Sequence, residues 1–179
     1  VVAVEIDRGL IPVLNKTLAE YDNITVINDD IMKVDLKQLV DKYSEGMPVS
    51  VCANLPYYIT TPILMHLLES DVKFSTITVM VQKEFANRLC APVGSRESGA
   101  VTVGAAYRAK CEKIFTVSAG SFLPPPKVDS TVMRLTPYET PPVQVEDEKW
   151  FFKVVKAGFN QRRKTLTNAL QAGLGTDKE

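Results

Sequence analysis

Asn54-Leu55-Pro56-Tyr57 holds the residue types best suited to chemistry in this 179-residue chain. The Asn54 side-chain oxygen and the Leu55 carbonyl are acceptors in adjacent residues. Such a pair can hold both N–H groups of an aromatic amine and draw its nitrogen toward tetrahedral geometry, which frees a lone pair otherwise delocalised into the ring. Pro56 stiffens the turn and brings no N–H donor to compete. Tyr57 offers a ring face on which a planar base can stack. Chemistry of this kind rests on positioning and electrostatics and needs no metal or strong base. The same four residues also suit a plain strand-end turn in which Asn54 caps a helix.

Carboxylates stand at two other strand ends. Glu5 closes the apolar run Val1–Ile6, where it can accept both hydroxyls of a ribose. Asp29-Asp30 follows the apolar stretch Ile24–Ile27, where a carboxylate can accept from an adenine amino group, with Ile6 and Ile31 flanking the ring plane. Acids at strand ends equally face water or cap the next helix. The cluster Arg162-Arg163-Lys164 suits a polyanion. Acidic residues outnumber basic ones over 1–89 and the reverse holds over 90–179, so the second half would meet such a partner. Cys52, Cys90 and Cys111 show neither a zinc spacing nor a disulfide framework, which points to a reducing cytoplasm. His66, the single histidine, has no role assigned.

Positioning these groups requires strands that end at one edge of a sheet. Val1–Ile6, Ile24–Ile27, Pro48–Ala53 and Ser75–Val81 read as strands. Arg8–Tyr21, Leu36–Tyr43, a segment opening at Thr60-Thr61-Pro62, and Lys83–Cys90 read as helices. The alternation predicts a doubly wound α/β sheet, in which ligands bind at the carboxyl ends of the strands. Beyond Gly99, the runs Val101–Arg108, Lys113–Val117 and Ser130–Leu135 read as strands that finish the sheet with an antiparallel hairpin. Pro137, Pro141 and Pro142 form a stiff linker. Helices around Trp150–Val155 and over Arg163–Gln171 follow.

A content of 45% hydrophobic and 23% charged residues fits a globular domain with a small appendage. No apolar run approaches the roughly 20 residues of a membrane span. The chain opens on what reads as a buried strand, so a piece of a longer protein is expected. Its opening strand should then present an exposed apolar edge near Val2 and Val4, or pair with another chain.

Four segments together carry a resemblance. Asn54-Leu55-Pro56-Tyr57-Tyr58-Ile59-Thr60-Thr61-Pro62-Ile63 resembles motif IV of the bacterial small-subunit rRNA adenine-N6 dimethyltransferases, the kasugamycin-resistance family. Gln82-Lys83-Glu84-Phe85-Ala86-Asn87-Arg88-Leu89 is similar to that family's Q-K-E-x-x-x-R-L. Phe122-Leu123-Pro124-Pro125-Pro126-Lys127-Val128-Asp129-Ser130 is similar to its target-base loop, and Phe159-Asn160-Gln161-Arg162-Arg163-Lys164-Thr165-Leu166 to its F-x-Q-R-R-K-T-[IL] segment. They come in family order.

The resemblance implies a Rossmann-like methyltransferase sheet over 1–138 and a helical rRNA-binding domain over 139–179. It implies S-adenosylmethionine as cofactor, held by Glu5, Ile6, Asp30, Ile31 and Asn54. Asn54 and Leu55 would hold the target N6 on the turn that Pro56 stiffens, and Tyr57 and Phe122 would sandwich a flipped adenine. Lys127, Arg162, Arg163 and Lys164 would meet RNA phosphates. The partner would be small-subunit rRNA in an immature small ribosomal subunit, and the intact enzyme a monomer without membrane attachment. Two features depart from the family. Its first strand and E-x-G-x-G-x-G loop are absent, which would impair catalysis by this piece alone. Ser98-Gly99-Ala100-Val101-Thr102 stands where Y-G-x-L-[ST] is usual. Alternatives are the large-subunit rRNA methyltransferases of antibiotic resistance and a non-catalytic assembly factor.

Overall fold

The computed structural model describes residues 1–161 and 163–175. In chain order the first elements are β1 (Val2–Glu5), α1 (Ile11–Thr17), β2 (Thr25–Asn28), α2 (Leu36–Tyr43), β3 (Val49–Asn54), α3 (Thr60–Glu69), β4 (Phe74–Gln82) and α4 (Lys83–Leu89). Then come α5 (Ala100–Arg108), β5 (Ala109–Val117), β6 (Ser130–Pro137), α6 (Glu148–Asn160) and α7 (Leu166–Leu174). The expected strand–helix alternation therefore holds through α4. The strands form two sheets. β1 and β2 pair in parallel as one, and β3-β4-β6-β5 form the other, parallel at β3–β4 and antiparallel on both sides of β6. β1 and β3 each pair on one side only, so each leaves an edge free among the described residues.

β4 shows why the larger sheet folds as it does. Phe74, Ile77, Val79 and Val81 are buried, while Thr78, Met80 and Gln82 on the opposite face are half-exposed. Met133 and Leu135 of β6 continue the buried face, and Val49, Val51 and Ala53 of β3 pack against it. Leu64 and Leu67 of α3, Ala86 and Leu89 of α4 and Ala105 of α5 complete that core. The alternation buries one face under these helices, and the other face, with Cys52, Met80, Val132 and Arg134, stays half-exposed or exposed. The β1–α1–β2 unit contributes no fully buried residue, and Val2, Ala3 and Val4 are half-exposed.

Val101–Arg108, expected as a strand, is helix α5. Its β-branched Val101, Thr102 and Val103 suggest a strand, but tertiary packing decides. Thr102, Gly104, Ala105 and Tyr107 are buried, and a Cβ on Gly104 would lie 3.2 Å from Met65 Cε of α3. These small side chains let α5 lie close against its neighbours. Thr102 Oγ1 also accepts from the Gly99 N–H (2.9 Å) and donates to the Arg88 carbonyl (2.8 Å), which ties the helix start to the end of α4. The last helix also starts later than expected. Thr165 caps α7 by accepting from the Asn168 N–H, so Arg163 and Lys164 lie in the turn before it.

α6 and α7 form a hairpin whose first helix docks on α5. Tyr107 of α5 meets Phe151 and Phe152 of α6 with ring centroids 5.5 and 5.3 Å apart. Arg108 lies over the Phe152 ring and pairs with Glu148. Within the hairpin, a Cβ on Gly173 would sit 2.4 Å from Ala157 Cβ and 2.8 Å from Ala157 Cα. Gly173→Ala should therefore force the helices apart. Overpacking of this kind costs about 1–3 kcal/mol. Urea unfolding of the variant should show that loss, and an unchanged midpoint would refute the close approach.

Candidate active site

The turn after β3 is held from both sides. Asn54 lies opposite Met80 in the parallel register, and the Leu55 N–H donates to the Met80 carbonyl (3.1 Å). The Leu55 side chain is buried in the core and anchors the turn. The Pro56 carbonyl then accepts from the Ile59 N–H (3.2 Å) and from Thr60 Oγ1 (2.9 Å). Thr60 thus ties the helix start back to the turn. The residue at the cap position is Ile59, without a side-chain bond. The Asn54 amide takes part in no hydrogen bond among the described residues, so it does not cap α3, and its oxygen is available to a ligand.

The loop between β5 and β6 closes over this turn. Ser130 opens β6 opposite Gln82, the last residue of β4. Its fully buried Oγ lies 2.8 Å from the Tyr57 hydroxyl, which fixes the far end of the tyrosine ring. Asp129 is a second tie. Its carboxylate accepts from the Ala119 N–H (3.2 Å) and from Lys83 Nζ (3.4 Å), and its carbonyl accepts from the Lys83 N–H (3.0 Å). The Ala119 N–H first, and the Lys83 ammonium after it, hold the Asp129 carboxyl below the usual carboxylate range.

These ties shape one cavity of about 320 Å³, lined by Asn54, Leu55, Pro56, Tyr57, Phe122, Pro124 and Pro126. Its size lies at the lower end of small-ligand pockets. All five residues expected around a target base line it together, although Phe122 and Tyr57 are far apart in sequence. Sequence reasoning assigned no individual role to Ser130, Asp129 or Lys83. Each lies inside a motif, but only the fold shows that they join the two halves of the cavity.

The other candidates stand elsewhere. Glu5 and Asp30 lie at or just beyond the ends of the paired strands β1 and β2. Glu5 Oε1 accepts from the Asp7 N–H (2.7 Å) and Asp30 Oδ1 from the Met32 N–H (3.0 Å), which leaves the second oxygen of each without a partner among the described residues. Asn28 Nδ2 bridges to the Glu5 and Ile6 carbonyls at 2.8 and 3.3 Å and stiffens that end. Ile6 is 64% exposed, whereas Ile31 packs against the core. None of these four lines the cavity beside Asn54. Lys127, Arg163 and Lys164 are exposed, and Arg162 lies outside the described residues.

The bond from Tyr57 to Ser130 is directly testable. Tyr57→Phe leaves a buried hydroxyl without its partner, a loss of about 1–3 kcal/mol. Ser130→Ala in the same chain should recover part of it, so the double variant should be more stable than the two single losses added. Strict additivity in thermal unfolding would show that the two hydroxyls do not interact.

All 179 residues match the family described as Ribosomal RNA adenine dimethylase. Among curated relatives, a Ribosomal RNA small subunit methyltransferase A of Lachnoclostridium phytofermentans is 51% identical over 171 residues, 95% of this chain and 59% of the relative. Its namesake in Lactococcus lactis subsp. lactis is 46% identical over 100% of this chain and 61% of its own. The chain thus spans about three fifths of the length of these relatives. A solved dimethyladenosine transferase from Plasmodium falciparum superposes with a TM-score of 0.76 at 29% identity, over 97% of this chain and 61% of that one. The 23S rRNA methyltransferase ErmE superposes with a TM-score of 0.71 at 26% identity, over 96% of this chain and 66% of that one. The fold is the Rossmann-like methyltransferase fold of these enzymes, and the chain belongs to the ribosomal RNA adenine dimethylase family.

Proposed function

We propose that this chain carries the catalytic site of an S-adenosylmethionine-dependent rRNA adenine-N6,N6 dimethyltransferase. Its substrate is a pair of adjacent adenines near the 3′ end of small-subunit rRNA, in an immature subunit in the cytoplasm, and the intact enzyme works as a monomer. The cavity that joins Asn54–Tyr57 to Phe122 carries the reading. It offers an unengaged amide oxygen on a turn anchored by the buried Leu55, with the aromatic rings of Tyr57 and Phe122 in its lining. Relatives at 46–51% identity are named for the small subunit, while ErmE, a 23S enzyme, is 26% identical. That difference favours the small subunit over the large.

The residues fit the cofactor. The second oxygens of Glu5 and Asp30 are free acceptors at neighbouring strand ends, matched to ribose hydroxyls and an adenine amino group. Ile6 and Ile31 would flank the adenine. When bound, S-adenosylmethionine supplies a methyl group on a positively charged sulfur. Asn54 Oδ1 and the Leu55 carbonyl accept from the two N–H groups of the target amine and localise its lone pair. Tyr57 and Phe122 hold the base ring between them, and the proton leaving N6 passes to water. Lys127, Arg162, Arg163 and Lys164 meet backbone phosphates.

A further parallel strand between the free edges of β1 and β3 would join the two sheets, and a glycine-rich turn at its end would hold the methionine part of the cofactor. The three-fifths coverage of the relatives supports this completion. Titration calorimetry with S-adenosylmethionine should then show weak binding by the 179 residues and tight binding once such a strand is supplied. Equal affinities would refute it. In a complete protein, Asn54→Ala should cut methyl transfer to small-subunit particles by about 10²–10³-fold with RNA binding retained. Undiminished transfer would remove Asn54 from the mechanism.

A further inference from the structure

Each of the two segments that line the base cavity carries a second apolar side chain turned away from it. Tyr57, Tyr58 and Ile59 form one 3₁₀ turn, in which successive side chains point about 120° apart. Tyr57 lines the cavity, Ile59 packs against the core, and Tyr58 takes the remaining direction into solvent. The proline-rich loop does the same with a period of two. Phe122, whose backbone is extended, lines the cavity together with Pro124 and Pro126, and Leu123 and Pro125 between them are exposed. Tyr58 and Leu123 are 88% and 98% exposed, the highest values of any large hydrophobic side chain among the described residues. A single exposed apolar side chain is ordinary. Two at nearly full exposure, each next in sequence to a ring that lines the same cavity, point to a partner outside the fold.

The cavity indicates what that partner is. A base that enters it must leave its stack, and the facing surfaces of its two neighbours are then uncovered. Consecutive Cα atoms lie about 3.8 Å apart and stacked nucleotides about 3.4 Å. Tyr58 and Leu123 therefore stand one nucleotide step from Tyr57 and Phe122.

We infer that Tyr58 and Leu123 pack against the bases on either side of the flipped adenine and replace the stacking that it gives up. The inference rests on the proposed RNA substrate. A tyrosine ring stacks on a base of any identity, and an apolar side chain such as leucine fills the gap between unstacked bases as a wedge. The pair holds the strand open while the target occupies the cavity. In a pair of adjacent adenines, one neighbour of each is the other. The second adenine is therefore held beside the cavity while the first is inside it.

The test is an anisotropy titration of a fluorescent RNA stem-loop with two adjacent loop adenines. The proteins are the unaltered chain, Tyr58→Ser, Leu123→Ser and a control on α1, Val13→Ser, at a side chain that is 53% exposed. A second RNA keeps one adenine and lacks the bases of the two nucleotides beside it. Each of Tyr58→Ser and Leu123→Ser should weaken binding of the first RNA about 5- to 150-fold, the loss of one stacked base. The unaltered chain should bind the second RNA as weakly as Tyr58→Ser/Leu123→Ser binds the first, and that double variant should lose nothing more on the second. Tyr58→Phe and Leu123→Met should keep the affinity of the unaltered chain. All these positions are exposed, so thermal unfolding midpoints should not move. Undiminished binding of the first RNA, an equal loss on both RNAs, or the same loss in the control would overturn the assignment and leave the enzyme reading intact. If the variants instead lowered self-association in sedimentation without lowering RNA affinity, the pair would be a contact between copies of the chain, and the assignment would fall. Failure of the unaltered chain to bind the first RNA would overturn both the assignment and the RNA reading of this chain.

Discussion

The site depends on how β4 is paired. Its register with β3 puts Asn54 beside Met80, and its register with β6 puts Ser130 beside Gln82. Those two pairings bring the Asn54–Tyr57 turn and the proline-rich loop out at the same edge of the sheet. A slip of one residue on either side would turn Asn54 or Ser130 to the opposite face. Burial of Ile77, Val79 and Val81 on one face makes such a slip costly, because it would carry those side chains out of the core. The geometry of the Asn54–Tyr57 cavity is thus secured by apolar residues of the core, which do not line it.

The ties across the cavity then act locally. Tyr57–Ser130 fixes one ring, and the contacts of Asp129 with Ala119 and Lys83 fix the base of the loop that carries Phe122. The loop residues Pro124 and Pro126 line the cavity and have no N–H to satisfy there. A cavity braced this way would have little to reorganise if a base entered, as the proposed mechanism of positioning requires.

Much of this was legible in the sequence. The apolar runs located β1 to β4 closely, and the types at Asn54–Tyr57 pointed to acceptors and a ring before any fold was known. Phe122 was legible only through its motif, because nothing local says that it meets Tyr57. The segment Val101–Arg108 misled because β-branched residues favour strands, while its small residues Gly104 and Ala105 serve a close helix contact that only the fold supplies. The roles of Ser130 and Lys83 were illegible for a similar reason. Each depends on a partner brought near by strand pairing, as with Tyr57 and Asp129, which lie 73 and 46 residues away in sequence.

The division of the strands into two sheets has a mechanistic consequence. The base cavity belongs to the four-stranded sheet, and the carboxylates matched to a nucleoside belong to the pair β1–β2. Among the described residues no strand hydrogen bonding joins the two sheets, and the chain passes from one to the other through residues 29–48. Ile31, Met32, Val34 and Leu36 in that passage pack into the larger core, so the link is apolar and sits just after Asp30. Transfer between a bound donor and a bound base is sensitive to displacements of about 1 Å, which can lower the rate about 10²-fold. In the proposed reaction, a strand joining β1 to β3 would therefore set the distance over which the methyl group moves. In this fold, a strand can matter to the chemistry without supplying a single reacting atom.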